Sequence, residues 1–176
     1  MISPSCPLCA VSKMSNGQIL HGSHNGVEVL RYRGDIRHTL CVVLDRYLQQ
    51  RLKQPDIRGF VVDLTEVRSI DSTNLGILAR LARAMQKAAL PKVTLISNQP
   101  DINELLEAVG FDEVFNIVAE GGAAPTGLAE TPLGESDIPV SSRLLLEAHR
   151  TLMDLNEENR LRFRDVVQAF EEEMKQ

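Results

Sequence analysis

The sequence predicts an α/β domain in which helices pack on a mixed β-sheet. Short apolar runs rich in β-branched residues, such as residues 60–62, alternate with segments whose apolar residues recur at helical spacing. Strands that alternate with helices need crossover connections, so at least part of the sheet is parallel. Asn25-Gly26, between two extended runs, is typical of a tight hairpin, and an opening hairpin makes the sheet mixed.

The first elements are this hairpin and a helix. The hairpin strands lie around Ile19–His21 and Val27–Tyr32, and Gly34-Asp35 predicts a turn that ends the second strand. A helical pattern follows and stops at Pro55. Its apolar positions are Leu40, Val43, Leu44, Tyr47, Leu48 and Leu52.

In the next segment the pattern of apolar residues predicts a buried strand at 60–62, a loop at Thr65–Ile70 and a second helix that begins near Asp71-Ser72. The apolar stripe of this helix faces away from its arginines. The remaining predicted elements are a strand at 92–97, a helix from Pro100 that stops at Gly110, and a strand at 114–118.

Four regions follow from this pattern: a loose tail at 1–16, a domain at 17–118, a flexible linker at 119–140 and one C-terminal amphipathic helix at 141–176. Glycine, alanine, proline, threonine and serine dominate the linker, and such a composition buries little apolar surface. Ser141 or Ser142 is available to cap the helix. The linker leaves two alternatives open, since the helix packs on its own domain or reaches a partner or a second copy in a homodimer.

Composition narrows the classes of function. The chain has 176 residues and a formal net charge of -5, with its basic residues dispersed, so it lacks the electrostatic footprint of a nucleic-acid-binding protein. No apolar stretch approaches the roughly 20 residues that span a bilayer. The start, Met1–Met14, has neither a basic leader nor a sustained apolar segment. We therefore expect a cytoplasmic protein that binds neither nucleic acid nor a membrane.

Ser72 is the residue most suited to regulation. A serine at the start of a helix is expected to have an exposed hydroxyl beside unpaired backbone N–H groups, where a kinase can reach it. Phosphate adds roughly -1.5 to -2 charges, which those groups and the helix dipole accommodate. The alternative is that Asp71, Ser72 and Thr73 only cap the helix, which contributes about 1 kcal/mol. Capping and phosphorylation are compatible.

The segment around Ser72 resembles the signature of STAS domains, particularly of bacterial anti-sigma factor antagonists. In that family a strand that ends in Asp-Leu, here Asp63-Leu64, is followed by Asp-Ser-Ser-Gly-Leu-Gly, whose first serine is phosphorylated. The corresponding residues are Asp71-Ser72-Thr73-Asn74-Leu75-Gly76. The resemblance spans roughly residues 18–118 and implies that Ser72 is the phosphoacceptor. Asn74 departs from the usual glycine, and Thr73 from the usual serine.

The resemblance also implies partners and a contact surface. The unphosphorylated protein would bind an anti-sigma factor that is itself a serine kinase, phosphorylation would release it, and a PP2C-type phosphatase would restore binding. The implied contact residues are Asp71, Ser72, Thr73, Asn74, Gly34 and Asp35. Gly34-Asp35 matches the family's Gly-acidic turn, although Arg37 stands where an acidic residue often follows. A second function is open: a STAS subunit that docks on the ATPase of a lipid-transport ABC system.

Two further kinds of site are not favoured. Cys6, Cys9, His21 and His24 imitate a zinc pattern with short spacings, but the cysteines fall in the tail and the histidines in the hairpin, so we expect no metal and no cofactor. The sequence has no nucleophile elbow, phosphate-binding glycine loop or pair of facing carboxylates. Ser72 with His38 does not make a triad, and we expect that the protein is not an enzyme.

Overall fold

The computed structural model of the chain describes residues 16–119 and 128–176. The strands are β1 Gln18–His24, β2 Val27–Ile36, β3 Gly59–Ile70, β4 Thr94–Ile96, β5 Asn116–Val118 and β6 Thr131–Pro132. The helices are α1 Cys41–Leu52, α2 Ser72–Lys87, α3 Pro100–Ala108, α4 Phe111–Val114, α5 Ser142–Met153 and α6 Glu157–Glu173. Strands and helices alternate from β2 to β5, as the sequence predicts.

The strands form one mixed sheet in the order β5-β4-β3-β2-β1-β6. β2, β3, β4 and β5 pair in parallel, whereas β1 pairs antiparallel with both β2 and β6. Asn25 and Gly26 take the positive φ angles that the β1–β2 hairpin turn requires. The predicted mixed α/β architecture is therefore confirmed.

The pairing of β2 with β3 corrects two sequence-based expectations. Gly34-Asp35 is not a turn: Gly34 has a φ of 72°, the register shifts beside it, and β2 continues to Ile36. The predicted loop Thr65–Ile70 is the second half of β3, because β2 supplies a parallel partner as far as Ile70. The two strands therefore end together, next to the start of α2.

The C-terminal region contains two helices rather than the one predicted. α5 ends at Met153, and Asn156 caps α6 by accepting a hydrogen bond from the backbone N–H of Asn159. Ser141 is the cap of α5, with its hydroxyl accepting from the N–H of Leu144. The two helices form a hairpin, and α5 packs along α2, so this region packs on its own domain. We call α5 and α6 the C-terminal hairpin.

The part of the linker that the structure describes is tied to the sheet. Residues 131–132 form β6 and pair with β1, and the N–H of Leu133 donates to the carbonyl of Ile19. Residues 120–127 of the predicted linker and residues 1–15 of the predicted tail lie outside the described residues.

The core combines the sheet with the C-terminal hairpin. Leu30, Val62 and Leu95 of the central strands are fully buried, and the same cluster includes Leu152 of α5 and Phe163 of α6. Across residues 16–119 and 128–176, no helix has both the length and the apolar character needed to cross a membrane.

Candidate functional site

The site begins with the cap of α2. Asp71 has an extended backbone, and its Oδ1 accepts hydrogen bonds of 2.9 Å from both the backbone N–H and the side-chain amide of Asn74. The N–H of Asp71 donates to the carbonyl of Ile36, which joins the helix start to the end of β2. The sequence-based start of this helix is confirmed, and Asp71 alone is the capping side chain.

The burial of the residues after Asp71 separates their roles. Ser72 is partly exposed, whereas Thr73 is 5% exposed and Asn74 is fully buried. The assignment of Thr73 and Asn74 to a contact surface is therefore corrected, since both side chains point into the protein. Asn74 shapes the cap through its second bond to Asp71, and this explains why an amide is accommodated where related domains have glycine.

The hydroxyl of Ser72 is hydrogen-bonded to His149 of α5. Ser72 Oγ and His149 Nε2 lie 2.9 Å apart, and His149 Nδ1 lies 2.7 Å from the carbonyl oxygen of Leu145. A carbonyl only accepts, so Nδ1 donates to Leu145, and in that tautomer Nε2 accepts from Ser72. The hydroxyl expected to be exposed is only partly so, because it is hydrogen-bonded to a histidine of α5 that is 4% exposed.

α5 approaches α2 closely at the next turn. A Cβ added to Gly76 would lie 2.4 Å from the carbonyl oxygen of Ala148 and 2.8 Å from its Cβ. Glycine on α2 and alanine on α5 therefore let the two backbones meet, and this places His149 directly over Ser72. The His149 ring is held from the other side by Phe163 and Phe170 of α6, with ring centroids 5.9 Å and 5.6 Å away.

Asp35 lies beside this cap at the end of β2. Its Oδ1 accepts from Ser69 Oγ at 2.8 Å and its Oδ2 pairs with Arg68 at 2.6 Å. The hydrogen bond from Ser69, with the positive charges of Arg68 and Arg37, holds the pKa of Asp35 below its usual value. Because β2 and β3 end together, Gly34 and Asp35 lie at the same end of the sheet as Asp71 and Ser72.

Asp63, the other acidic residue of the motif, has a structural role. Its Oδ1 accepts from the N–H and hydroxyl of Thr65, and its Oδ2 pairs with Arg31 at 3.2 Å. The side chain is nearly buried in the middle of the sheet, away from the start of α2. These bonds hold β3 in place, so a structural role accounts for an aspartate at position 63.

The histidine at Ser72 was missed by sequence reasoning. His38, the histidine considered there, lies with its Nδ1 3.9 Å from Asp71 Oδ2 instead. His149 is 77 residues from Ser72, and the only signal for it is its place beside the apolar stripe of the C-terminal segment. That signal predicts burial but not the residue it meets.

The zinc-like pattern is not assembled among the described residues. His21 stacks on the Tyr47 ring at 4.7 Å, and His24 Nε2 lies 3.1 Å from Asn25 Nδ2. Cys6 and Cys9 lie outside the described residues. Within the described parts of the chain, no group of three or more His, Cys, Asp or Glu side chains is placed to hold a metal ion.

The fold and this site define a mixed-sheet α/β domain with a serine at the start of the helix that follows its central strand. The model of the STAS domain family matches residues 21–124, which is more than half of the chain. The chain therefore belongs to the STAS domain family, as the resemblance in the sequence predicts. No curated protein sequence matches it.

Two solved structures with TM-scores above 0.5 show the same fold, and a third is similar to part of the chain. A candidate anti-sigma factor antagonist from Thermotoga maritima is 16% identical with a TM-score of 0.52, covering 58% of this chain and 86% of that one. The anti-sigma factor antagonist SpoIIAA in its unphosphorylated form is 14% identical with a TM-score of 0.51, covering 58% and 89%. An anti-sigma factor antagonist from Mycobacterium paratuberculosis is 21% identical with a TM-score of 0.49, covering 59% and 86%.

Proposed function

We propose that this protein is an anti-sigma factor antagonist that is controlled by phosphorylation of Ser72. In this proposal the unphosphorylated form binds an anti-sigma factor that is also a serine kinase, and thereby frees a sigma factor. Phosphorylation abolishes binding, and a PP2C-type phosphatase restores it. The observation that carries the proposal is the position of Ser72 at the first residue of α2, within a segment that matches the family signature.

The local geometry favours Ser72 over its neighbour as phosphoacceptor. Thr73 is buried, so a kinase would have to unwind the first turn of α2 to reach it. Ser72 is partly exposed beside the ends of β2 and β3, and release of its hydroxyl from His149 needs no unwinding of α2. The first-turn N–H groups of a helix lack intrahelical acceptors and stabilise a negative charge, so a phosphorylated domain stays folded.

The proposed contact surface consists of Asp71, Ser72 and the adjoining end of β2 at Gly34 and Asp35. These residues lie where β2 and β3 end, and each is partly exposed. A phosphate on Ser72 would add negative charge next to the Asp71 and Asp35 carboxylates. A partner that complements this edge would then meet like charge or lose its own hydrogen bonds, which weakens binding.

We further propose that the protein acts in the cytoplasm as a binding module and not as an enzyme. Ser72 and His149 have the hydrogen bond of a nucleophile and its base. However, the histidine is buried against Phe163 and Phe170, so the hairpin occupies the space that a substrate would need. Release of p-nitrophenol from p-nitrophenyl acetate, lost in Ser72→Ala, would contradict this part of the proposal.

The test compares Ser72→Ala, Ser72→Asp and the wild type in partner capture and in titration of the captured partner. Ser23→Asp is the matched control, since it adds the same charge at an exposed serine near the opposite end of β1. Asp71 remains as the cap of α2 in both variants of Ser72, so we expect all four proteins to fold. Ser72→Asp should weaken binding at least about tenfold, or 1.4 kcal/mol, with the others near wild type.

The identity of the captured protein separates the two binding functions. A kinase-like or sigma-regulating partner supports the proposed antagonist, whereas components of a lipid-transport ABC system would support the docking subunit. Equal affinity of all four proteins for the captured partner would show that Ser72 does not control binding.

A further inference from the structure

The C-terminal hairpin covers the residue that the proposed switch depends on. The family match ends at residue 124, before α5 begins at Ser142, so the hairpin is an addition to the matched domain. It lies along α2, where His149 accepts from Ser72 and the Ala148 backbone meets Gly76. The hairpin therefore covers Ser72 from the α5 side, while Asp71 and Asp35 beside it stay partly exposed.

A kinase cannot phosphorylate Ser72 while this contact persists. Phosphoryl transfer needs the serine oxygen aligned with the γ-phosphate of ATP and its proton directed to a base on the kinase. In this structure the Ser72 hydroxyl is hydrogen-bonded to His149 of α5 at 2.9 Å and is not free to make that alignment. The hairpin must leave the start of α2 before Ser72 can enter a kinase active site.

The product is equally incompatible with the covered arrangement. Ser72 Oγ is only 2.9 Å from a buried ring nitrogen, which leaves no room for a phosphate group between them. Helix α5 cannot give way locally, because the Ala148 main chain already lies against α2 at Gly76. Phosphate on Ser72 and docking of α5 on α2 therefore exclude each other. By thermodynamic linkage, docking disfavours phosphorylation as much as phosphorylation disfavours docking.

The ion pairs along the α2–α5 interface add little to its stability. Arg80 Nη2 lies 3.7 Å from Glu147, and Arg83 pairs with Asp154 at 3.3 Å in a solvent-exposed position. Exposed ion pairs of this kind contribute little. By contrast, the side-chain amide of Asn159, fully buried, donates at 2.9 Å to the carbonyls of Val109 and Leu152, and this anchors the hairpin turn to the domain.

We propose that the C-terminal hairpin is an intramolecular gate that controls phosphorylation of Ser72. When docked, α5 shields Ser72 through His149 and keeps the domain unphosphorylated; when α5 leaves α2, Ser72 becomes a kinase substrate, and phosphate keeps the gate open. Asn159 holds the hairpin turn at Val109 in both states. The regulatory role of this gate rests on the proposed function, but the opening of the gate can be measured without any partner.

The experiment uses a cysteine at position 72 as a reporter of access. The full-length chain carries Ser72→Cys with Cys6→Ser and Cys9→Ser, and the remaining Cys41 is fully buried. Labelling by N-ethylmaleimide is followed by mass spectrometry. Ser23→Cys, at an exposed position in the same background, gives the rate of an open site.

Ala148→Leu is the variant that opens the gate, because its larger side chain meets α2 at Gly76 without altering α2. The matched control is Asp165→Asn on α6, where the carboxylate is 89% exposed and touches only its neighbour Arg164 among the ion pairs. We expect labelling of residue 72 to be slower than at position 23, and to rise about tenfold or more in Ala148→Leu. Asp165→Asn should leave it unchanged.

Hydrogen exchange of the unaltered chain provides the second measurement. The amides of 145–151 should exchange together and faster than those of 60–64 in β3, because the gate opens without unfolding the sheet. Labelling at position 72 as fast as at position 23, or exchange of α5 only together with β3, would overturn the gate. Either result would leave the proposed antagonist function untouched, because that function is tested by partner affinity. Conversely, if Ser72→Asp binds the partner as well as the wild type while the labelling results support the gate, only the antagonist function is overturned.

Discussion

Gly76→Ala tests the close contact between α2 and α5, because helix propensity and crowding against α5 change the free energy of unfolding in opposite directions. In a free helix, alanine is more stable than glycine by about 1 kcal/mol. Here the added Cβ would meet the Ala148 carbonyl oxygen at 2.4 Å and its carbonyl carbon at 2.6 Å. These are main-chain atoms and cannot rotate away, so α5 has to shift as a whole by roughly 1 Å to restore ordinary contact.

Such a shift breaks the bond between Ser72 and His149 and loosens the packing around Leu152. Overpacking of a core costs about 1–3 kcal/mol, and the lost hydrogen bond adds about 1 kcal/mol. The sum exceeds the helix propensity gain, so we expect a net loss of about 1–3 kcal/mol. For a chain of this size each kcal/mol corresponds to roughly 2–4 °C in the melting temperature.

The assay is thermal and urea unfolding of the full-length chain, with Gly59→Ala as control. A Cβ at Gly59 meets nothing within 4 Å, so that variant should be as stable as the wild type or more stable. Gly76→Ala as stable as Gly59→Ala would refute the reasoning, because it would mean that α5 does not pack on α2 at this distance.

Three more predictions concern groups away from Ser72. Glu28 is buried and bonded to Tyr47 and Arg51, so Glu28→Gln should cost about 2 kcal/mol or more in urea unfolding. Burial, with the charges of Asp71 and Asp45, raises the pKa of Cys41 to about 12, so the native thiol should resist N-ethylmaleimide at pH 8 and react only when unfolded. Burial also raises the pKa of Asp45 against the opposing charge of Arg80, so the stability it contributes is present at acid pH and lost as the pH rises through that raised pKa. Asp45→Asn should therefore be more stable than the wild type in melts at pH 7, and equal to it near pH 3.

The features that sequence reasoning predicted are those with local signals. The start of α2 follows from Asp71, whose carboxylate binds an N–H three residues later. The end of α3 follows from Gly110, which takes a φ of 77°. The order of strands and helices depends on runs of apolar residues, and the parallel sheet follows from that order. Each of these signals acts within one turn or one strand.

The second half of β3 was missed because its pairing depends on a distant segment. Residues 65–70 contain two apolar side chains, Val67 and Ile70, which are buried, but their polar neighbours break the alternation of a strand and made the segment look like a loop. β2 makes it a strand by pairing with it through a bulge at Gly34. The break between α5 and α6 did have a local signal, since Asn156 with Glu157 and Glu158 is typical of a helix start.

The environment of Ser72 could not have been predicted in the same way, because it comes from contacts between helices far apart in the chain. The family signature predicts a serine at a helix start and, taken alone, an exposed one. What covers it is decided by Gly76, which permits close approach, and by Ala148, which makes that approach with its own backbone. Glycine at this position is part of the signature, so the same small residue that shapes the helix start also admits a covering helix. The start of α2 at Ser72 and the packing of α5 over it therefore both depend on Gly76. A substitution at Gly76 should change the exposure of Ser72 and the docking of α5 together.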